Sequence, residues 1–197
     1  MIAKSSKKSH ASSLFFKQGL KRFITNGSFV PSSKYLSKMI LKQVEMKSKV
    51  IIVELGAGTG VFTNMILSNM PEDGKLVIFE INPILAEHLR NNIKDKRSIV
   101  IEADAVNMAI HLKKMNINKP DYIISGIPIG NMSSVARKNL LLAIHESLGK
   151  DSLFIQFQYF LSSLISVRRI FHTKIIGYEY RNLPPAFVYS CRKKVLQ

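Results

Sequence analysis

Acidic residues are scarce in this chain: 13 aspartates and glutamates stand against 29 lysines and arginines over 197 residues, a formal net charge of +16. An imbalance of that size implies a polyanionic partner, either nucleic acid or an anionic membrane surface, and composition does not choose between them. Cysteine is nearly absent. The single Cys191 excludes an intramolecular disulfide and fits a reducing compartment. The five histidines (His10, His88, His111, His145 and His172) are scattered, and none stands at ligand spacing from another His, Cys or carboxylate, so no metal site is expected. His111 and His145 read as helix-surface residues. Long apolar runs are missing too, since no stretch reaches the ~18 uninterrupted residues of a membrane span. Residues 152–165 come nearest, but Gln156, Gln158 and Ser162 interrupt them. Lysines and serines break every apolar stretch in the first thirty residues, so no secretory signal is expected.

What is present is enough apolar content, 46%, for one domain with a proper core. The charge is unevenly spread. Residues 1–49 carry eleven lysines and arginines against one acid, Glu45, so +10 of the net +16 lies in the first quarter. Residues 1–11 read as a basic tail and residues 12–49 as basic amphipathic helices. In the helix expected over 12–26, Phe16, Leu20 and Phe23 share a face, with Lys17, Lys21 and Arg22 beside and across from them. Ser32 or Ser33 is expected to cap a second helix running through Met39, Ile40 and Val44. From residue 50 strands and helices alternate: strands 50–55, 75–80, 98–102, 121–125 and 152–158, and helices 59–69, 83–93, 105–117, 133–148 and 160–171. Two strand-like segments, 174–180 and 186–192, close the chain without a helix between them. This order predicts an α/β fold over 50–197 with a mostly parallel sheet and one antiparallel strand.

The most specific stretch is Glu54-Leu55-Gly56-Ala57-Gly58-Thr59-Gly60, which joins a β-branched run to an amphipathic helix. Glycines there let the backbone turn tightly and approach a ligand closely. Twenty residues further on, Leu76-Val77-Ile78-Phe79 ends in Glu80, whose carboxylate can accept hydrogen bonds from both hydroxyls of a ribose. Asp104, after the third strand, is placed to meet an adenine amino group or to cap the next helix. The spacing is Gly-x-Gly-x-Gly rather than the dinucleotide Gly-x-Gly-x-x-Gly. A carboxylate before it would repel a pyrophosphate and suits a cationic amino-acid moiety.

The Glu-x-Gly-x-Gly-x-Gly run resembles the first motif of the class I S-adenosylmethionine-dependent methyltransferases. That likeness implies their Rossmann-like seven-stranded sheet and S-adenosylmethionine as cofactor. It assigns Glu54, Gly56, Ala57, Gly58, Gly60, Glu80, Ile81, Asp104, Ala105, Ser125 and Gly126 to cofactor binding. Methyltransferases acting on the exocyclic amines of bases carry Asn/Asp-x-Pro-aromatic after the fourth strand. Here Ser125-Gly126-Ile127-Pro128 follows it, with Ser125 for the Asn or Asp and Ile129 for the aromatic. Losing the aromatic removes a stacking platform worth ~1–3 kcal/mol per base, which counts against a nucleic-acid substrate.

With Phe29-Val30-Pro31-Ser32-Ser33, Ile155-Gln156-Phe157-Gln158-Tyr159 and Asn182-Leu183-Pro184-Pro185-Ala186, the chain is similar to the soluble bacterial phospholipid N-methyltransferases. Those enzymes convert phosphatidylethanolamine to phosphatidylcholine, and they are related in sequence to rRNA adenine dimethylases. The likeness implies peripheral attachment to the inner face of the cytoplasmic membrane through Phe16, Lys17, Leu20, Lys21, Arg22 and Phe23, with no metal. Tyr159, Tyr180 and Ser125 are the expected catalytic polar groups. Arg168 and Arg181 are expected to meet a lipid phosphate, and Tyr178 a methylated ammonium. An rRNA or other nucleic-acid adenine methyltransferase is the alternative.

Overall fold

The computed structural model describes residues 33–195; the expected tail and the expected helix at 12–26 lie outside them. Helix α1 (Lys34–Leu41) begins at Ser33, whose Oγ accepts from Leu36 N at 3.2 Å, so the second of the two expected serines is the cap. The βα units then follow: β1 (Ile51–Leu55), α2 (Val61–Asn69), β2 (Lys75–Glu80), α3 (Pro83–Asn92), β3 (Ser98–Glu102), α4 (Met108–Lys114), β4 (Tyr122–Ser125), α5 (Ser134–Ser147), β5 (Leu153–Gln158), α6 (Leu164–Ile170), β6 (Phe171–Glu179) and β7 (Ala186–Lys193). The sheet order is β3-β2-β1-β4-β5-β7-β6. β7 runs antiparallel to both neighbours and the other pairings are parallel, as the alternation of elements predicted.

Successive strand residues point to opposite faces, so each near-continuous apolar strand feeds two cores. Val53, Phe79, Ile123 and Phe154 pack with α4, α5 and α6 on one side. Ile52, Ile78, Ile124 and Ile155 pack with α1, α2 and α3 on the other. Leu36 and Ile40 of α1 are fully buried in that second core beside Val50 and Val188, so α1 is part of the same body as the sheet.

Three expectations are corrected. The helices expected at 105–117 and 160–171 each open with a 3-10 turn, Ala105–Asn107 and Leu161–Ser163, and their α-helical parts are shorter. The last strand pair starts at Phe171, directly after α6. Ile170-Phe171 continues an apolar helical pattern in sequence, but Phe171 pairs with Lys193 as the first rung of β6. His145 is buried rather than at a helix surface, with its ring against Phe171 (centroids 5.7 Å apart) and Nε2 2.6 Å from Lys194 O. Cys191 is also buried, and that burial pushes its thiol up to about 12.

Candidate functional site: a cofactor cavity at the carboxyl ends of the strands

The turn from β1 to α2 is built from three left-handed glycines, with φ of 73° at Gly56, 59° at Gly58 and 80° at Gly60. Residues with a Cβ pay about 1–2 kcal/mol for that conformation, which is why the turn reads as glycine on alternate positions. Gly56 N donates to Phe79 O at 2.8 Å, tying the turn to the end of β2. The turn is also held from below. Glu80 Oε2 accepts from Gly58 N at 2.9 Å while its Oε1 accepts from Asn82 N at 2.9 Å. Asn82 in turn caps α3, its Oδ1 accepting from Ile84 N and Leu85 N. One buried carboxylate therefore joins the glycine turn to the start of α3.

A cavity of about 330 Å³ opens at this point, lined by Gly56, Glu80, Ile81, Asp104, Ala105 and Gly126 among the expected residues. Its size lies within the range of small-molecule pockets. Apolar side chains not assigned to the cofactor from the sequence complete it, notably Phe79, Leu85, Ile127, Pro128, Met132 and Leu140, together with Asn82. Each belongs to a strand end, a turn or a helix that sequence places, but only the parallel sheet brings them to one wall. Asp104 combines both roles weighed for it: it lines the cavity, and its Oδ1 accepts from Val106 N at 3.0 Å as a helix cap.

Other expected residues lie off the cavity. Ala57, Gly58 and Gly60 form the hidden side of the turn. Glu54 is 3% exposed beneath it, accepting from Thr63 Oγ1 at 2.7 Å, and burial raises its carboxyl to about 8. It supports the turn rather than facing the cavity. Ser125 is fully buried and its Oγ accepts from Ile127 N at 3.2 Å, so it holds the turn's shape and is not a catalytic group. Counted back from Pro128, the polar position of Asn/Asp-x-Pro falls on Gly126, which does line the cavity.

Tyr178, Tyr180 and Arg181 stand at the right edge of the sheet but at its far end. β6 is three strands from β4, a lateral offset of ~14 Å at ~4.8 Å per strand, which takes them away from the cavity. Tyr178 stacks on Phe187 at 4.6 Å. Arg181 is bound to both oxygens of Glu179, at 2.7 and 2.9 Å, and its guanidinium lies 4.1 Å from the centre of the Tyr35 ring. That ion pair and stack fasten α1 to the β6–β7 turn, so the guanidinium is already engaged. Arg168 is carried by α6 toward the start of β6, the opposite edge of the sheet from the cavity, and its expected phosphate contact is corrected for that reason. Tyr159 directly follows β5, next to β4, and is packed against the second core, where burial raises its hydroxyl pKa.

The fold and cavity define a class I S-adenosylmethionine-dependent methyltransferase. Similar solved structures are the precorrin-6y C5,15-methyltransferase of Geobacter metallireducens (TM-score 0.64, 14% identity, 82% of this chain and 89% of that one) and a SAM-dependent O-methyltransferase of Thermotoga maritima (TM-score 0.64, 14% identity, 90% and 72%). A TehB-like SAM-dependent methyltransferase of Corynebacterium glutamicum matches with a TM-score of 0.60 at 16% identity, over 93% of this chain and 99% of that one.

The chain belongs to the ribosomal RNA adenine dimethylase family, whose pattern it matches over residues 22–161. It is also 29% identical over 186 residues to the ornithine lipid N-methyltransferase of Singulisphaera acidiphila, covering 90% of this chain and 92% of that protein.

S-adenosylmethionine is the cofactor, and it supplies a methyl group made electrophilic by a sulfonium. The cavity fits it. Glu80 at the end of β2 and Asp104 after β3 would hold it by their carboxylates, and Phe79, Ile81, Ala105 and Leu140 would give its adenine an apolar slot.

Proposed function

We propose that this enzyme methylates the amine of a membrane lipid. The observation that carries the reading is Ile129, which stands where base-methylating relatives place an aromatic and is 0% exposed. Packed into the core beneath the turn, it offers no face on which an extruded base could stack. The likeness to an ornithine lipid N-methyltransferase supports the same substrate class. Phosphatidylethanolamine and its methylated intermediates, giving phosphatidylcholine, are the proposed substrates, with ornithine lipid as the amine lipid to set beside them.

A lipid amine must be neutral to attack, while a free alkylammonium has a pKa of about 10.4. The apolar walls that Phe79, Ile127, Pro128 and Leu140 give the cavity favour the neutral form. The described surface also suits a membrane. Phe160 (71% exposed) and Leu183 (81% exposed) project from the turns after β5 and β6, at the same edge of the sheet as the cavity. Ser33 also lies at that edge, where its N donates to Asn182 Oδ1 at 2.8 Å. Lys17, Lys21 and Arg22, with the charge excess of residues 1–49, are the groups proposed to attach the protein peripherally at the inner face of the cytoplasmic membrane. Among the described residues no helix is long and apolar enough to cross a membrane.

An rRNA adenine substrate is the second reading, supported by the family match and the net charge of +16. Incubation of the protein with labelled S-adenosylmethionine and, in parallel, phosphatidylethanolamine vesicles, ornithine-lipid vesicles and ribosomal RNA separates them. Label is expected in a lipid. Label confined to adenines of the RNA would reverse the assignment.

A further inference from the structure

Two glutamines stand side by side at the end of β5, Gln156 and Gln158, both buried and both on the face that carries Phe154. A buried primary amide is costly unless its hydrogen bonds are made. Both Nε2 groups and the Gln158 oxygen meet backbone, almost all of it in one stretch, while Gln156 Oε1 is buried with no hydrogen-bond partner among the described residues. The two hydrogens of Gln156 Nε2 are shared among three carbonyls, Ser125 O at 3.1 Å, Ile127 O at 3.1 Å and Phe157 O at 2.8 Å. Gln158 Nε2 donates to Ile127 O at 2.9 Å, and its Oε1 accepts from Gly130 N at 3.2 Å. Three carbonyls around one Nε2 also fix the orientation of Gln156, because turning the amide over would set its oxygen against theirs.

The result is a selective filling of the turn that walls the cofactor cavity. Ser125 O and Ile127 O are occupied by the glutamines, Ile127 O also takes Ile129 N at 2.8 Å, and Pro128 O takes Asn131 N at 2.9 Å. Among the described residues no hydrogen bond engages Gly126 O or Gly130 O, and of these two glycines only Gly126 lines the cavity. Its own neighbours are close: a Cβ placed there would lie 3.2 Å from Gly56 O and from Phe157 Cζ.

We propose that Gln156 and Gln158 are positioning residues for methyl transfer, holding the Ser125–Gly130 turn so that Gly126 O is the carbonyl left to accept an N–H of the acceptor amine. This rests on the reading of the turn as the seat of that amine. A carbonyl that takes one N–H fixes where the nitrogen lone pair points, and reacting atoms must be aligned at about 3–3.5 Å. Filling the neighbouring carbonyls denies the amine other, misaligned partners.

The test is Gln158→Glu. Above its pKa the carboxylate has no proton for Ile127 O. Once protonated it regains an O–H donor, while its other oxygen still accepts from Gly130 N. Initial rates are measured with labelled S-adenosylmethionine on phosphatidylethanolamine and ornithine-lipid vesicles between pH 5.5 and 9, as the ratio of variant to wild type. We expect kcat about 10- to 100-fold low at pH 8 and recovering toward wild type as pH falls, with KM and S-adenosylhomocysteine affinity nearly unchanged. Gln158→Leu should lose kcat without recovery at any pH.

Amide hydrogen exchange at Ile129, whose N–H shares Ile127 O with Gln158, compared with wild type at each pH, gives a readout that needs no acceptor. Protection should fall in Gln158→Glu at pH 8 and return at pH 5.5. If wild type methylates neither lipid, the lipid reading fails, and the exchange result still decides the clamp. Unchanged protection, a rate ratio flat with pH, or a parallel loss of cofactor affinity would overturn it.

Discussion

Glu54 shows how a residue of the most legible motif can serve a role that its position in the sequence does not announce. It opens the glycine run, yet it lies beneath the turn with Thr63 Oγ1 at 2.7 Å and only 3% exposed. Burial raises its carboxyl to about 8; the Thr63 hydrogen bond opposes that shift and the nearby Glu80 charge adds to it. The unfolded chain releases this proton near 4.5, so between pH 4.5 and pH 8 the folded state holds more protons than the unfolded one. Stability contributed by the neutral carboxyl is present below pH 4.5 and is lost as pH rises toward 8. Wild type should therefore lose on the order of 3–5 kcal/mol more than Glu54→Gln across that window, measured by urea denaturation at both ends. Equal pH dependence of the two proteins would show that Glu54 is already ionised when folded.

At the scale of elements, the β1–α2 turn is the part that fixes the site, and Gly60 is its tightest point. It is the N-cap of α2 with φ of 80°, and a Cβ there would lie 2.8 Å from Leu89 Cδ2 on α3. Left-handed strain of about 1–2 kcal/mol and overpacking of about 1–3 kcal/mol then act together in Gly60→Ala. A loss of about 2–4 kcal/mol in denaturant unfolding is expected, with weaker S-adenosylhomocysteine binding because the turn must shift off α3. Wild-type stability and affinity in this variant would mean that the turn tolerates a side chain. The strand-turn-helix unit was legible because its signals are local: β-branched residues, alternate glycines, then a helical stripe. The entry to β6 was not. Phe171 looks helical by periodicity, and only pairing with Lys193 makes it a strand. The same edge strand slips register between Ile175 and Gly177, which no local pattern announces.

For the whole molecule the governing quantity is the net charge and where along the chain it lies. Of the +16 charge, +10 lies in residues 1–49, and Ser33 is bonded to Asn182 in the β6–β7 turn. If the segment 12–26 docks on a membrane, each basic residue near an anionic surface adds ~1 kcal/mol. Changing Lys17, Lys21 and Arg22 to Glu should then abolish flotation with anionic vesicles and leave cofactor affinity intact, because the glycine turn lies elsewhere. Salt should weaken wild-type flotation in the same assay. Flotation that survives the triple change would move the membrane contact to the exposed Phe160 and Leu183.

Sequence by itself determined the βα alternation, the glycine turn, Glu80 and Asp104 as cavity carboxylates, and the terminal strand pair, because each is written in local periodicity or in a backbone conformation that only glycine adopts readily. Tertiary structure decided which of the expected polar groups meet. The strand order set Tyr180 and Arg181 three strands from β4, and the return path of α6 took Arg168 to the opposite edge. It also gave Gln156 and Gln158 their partners: in parallel register Gln156 stands beside Ser125, so two side chains of β5 reach the backbone that follows β4. Residues some thirty positions apart become neighbours only through that pairing, and spacing along a single strand carries no trace of it.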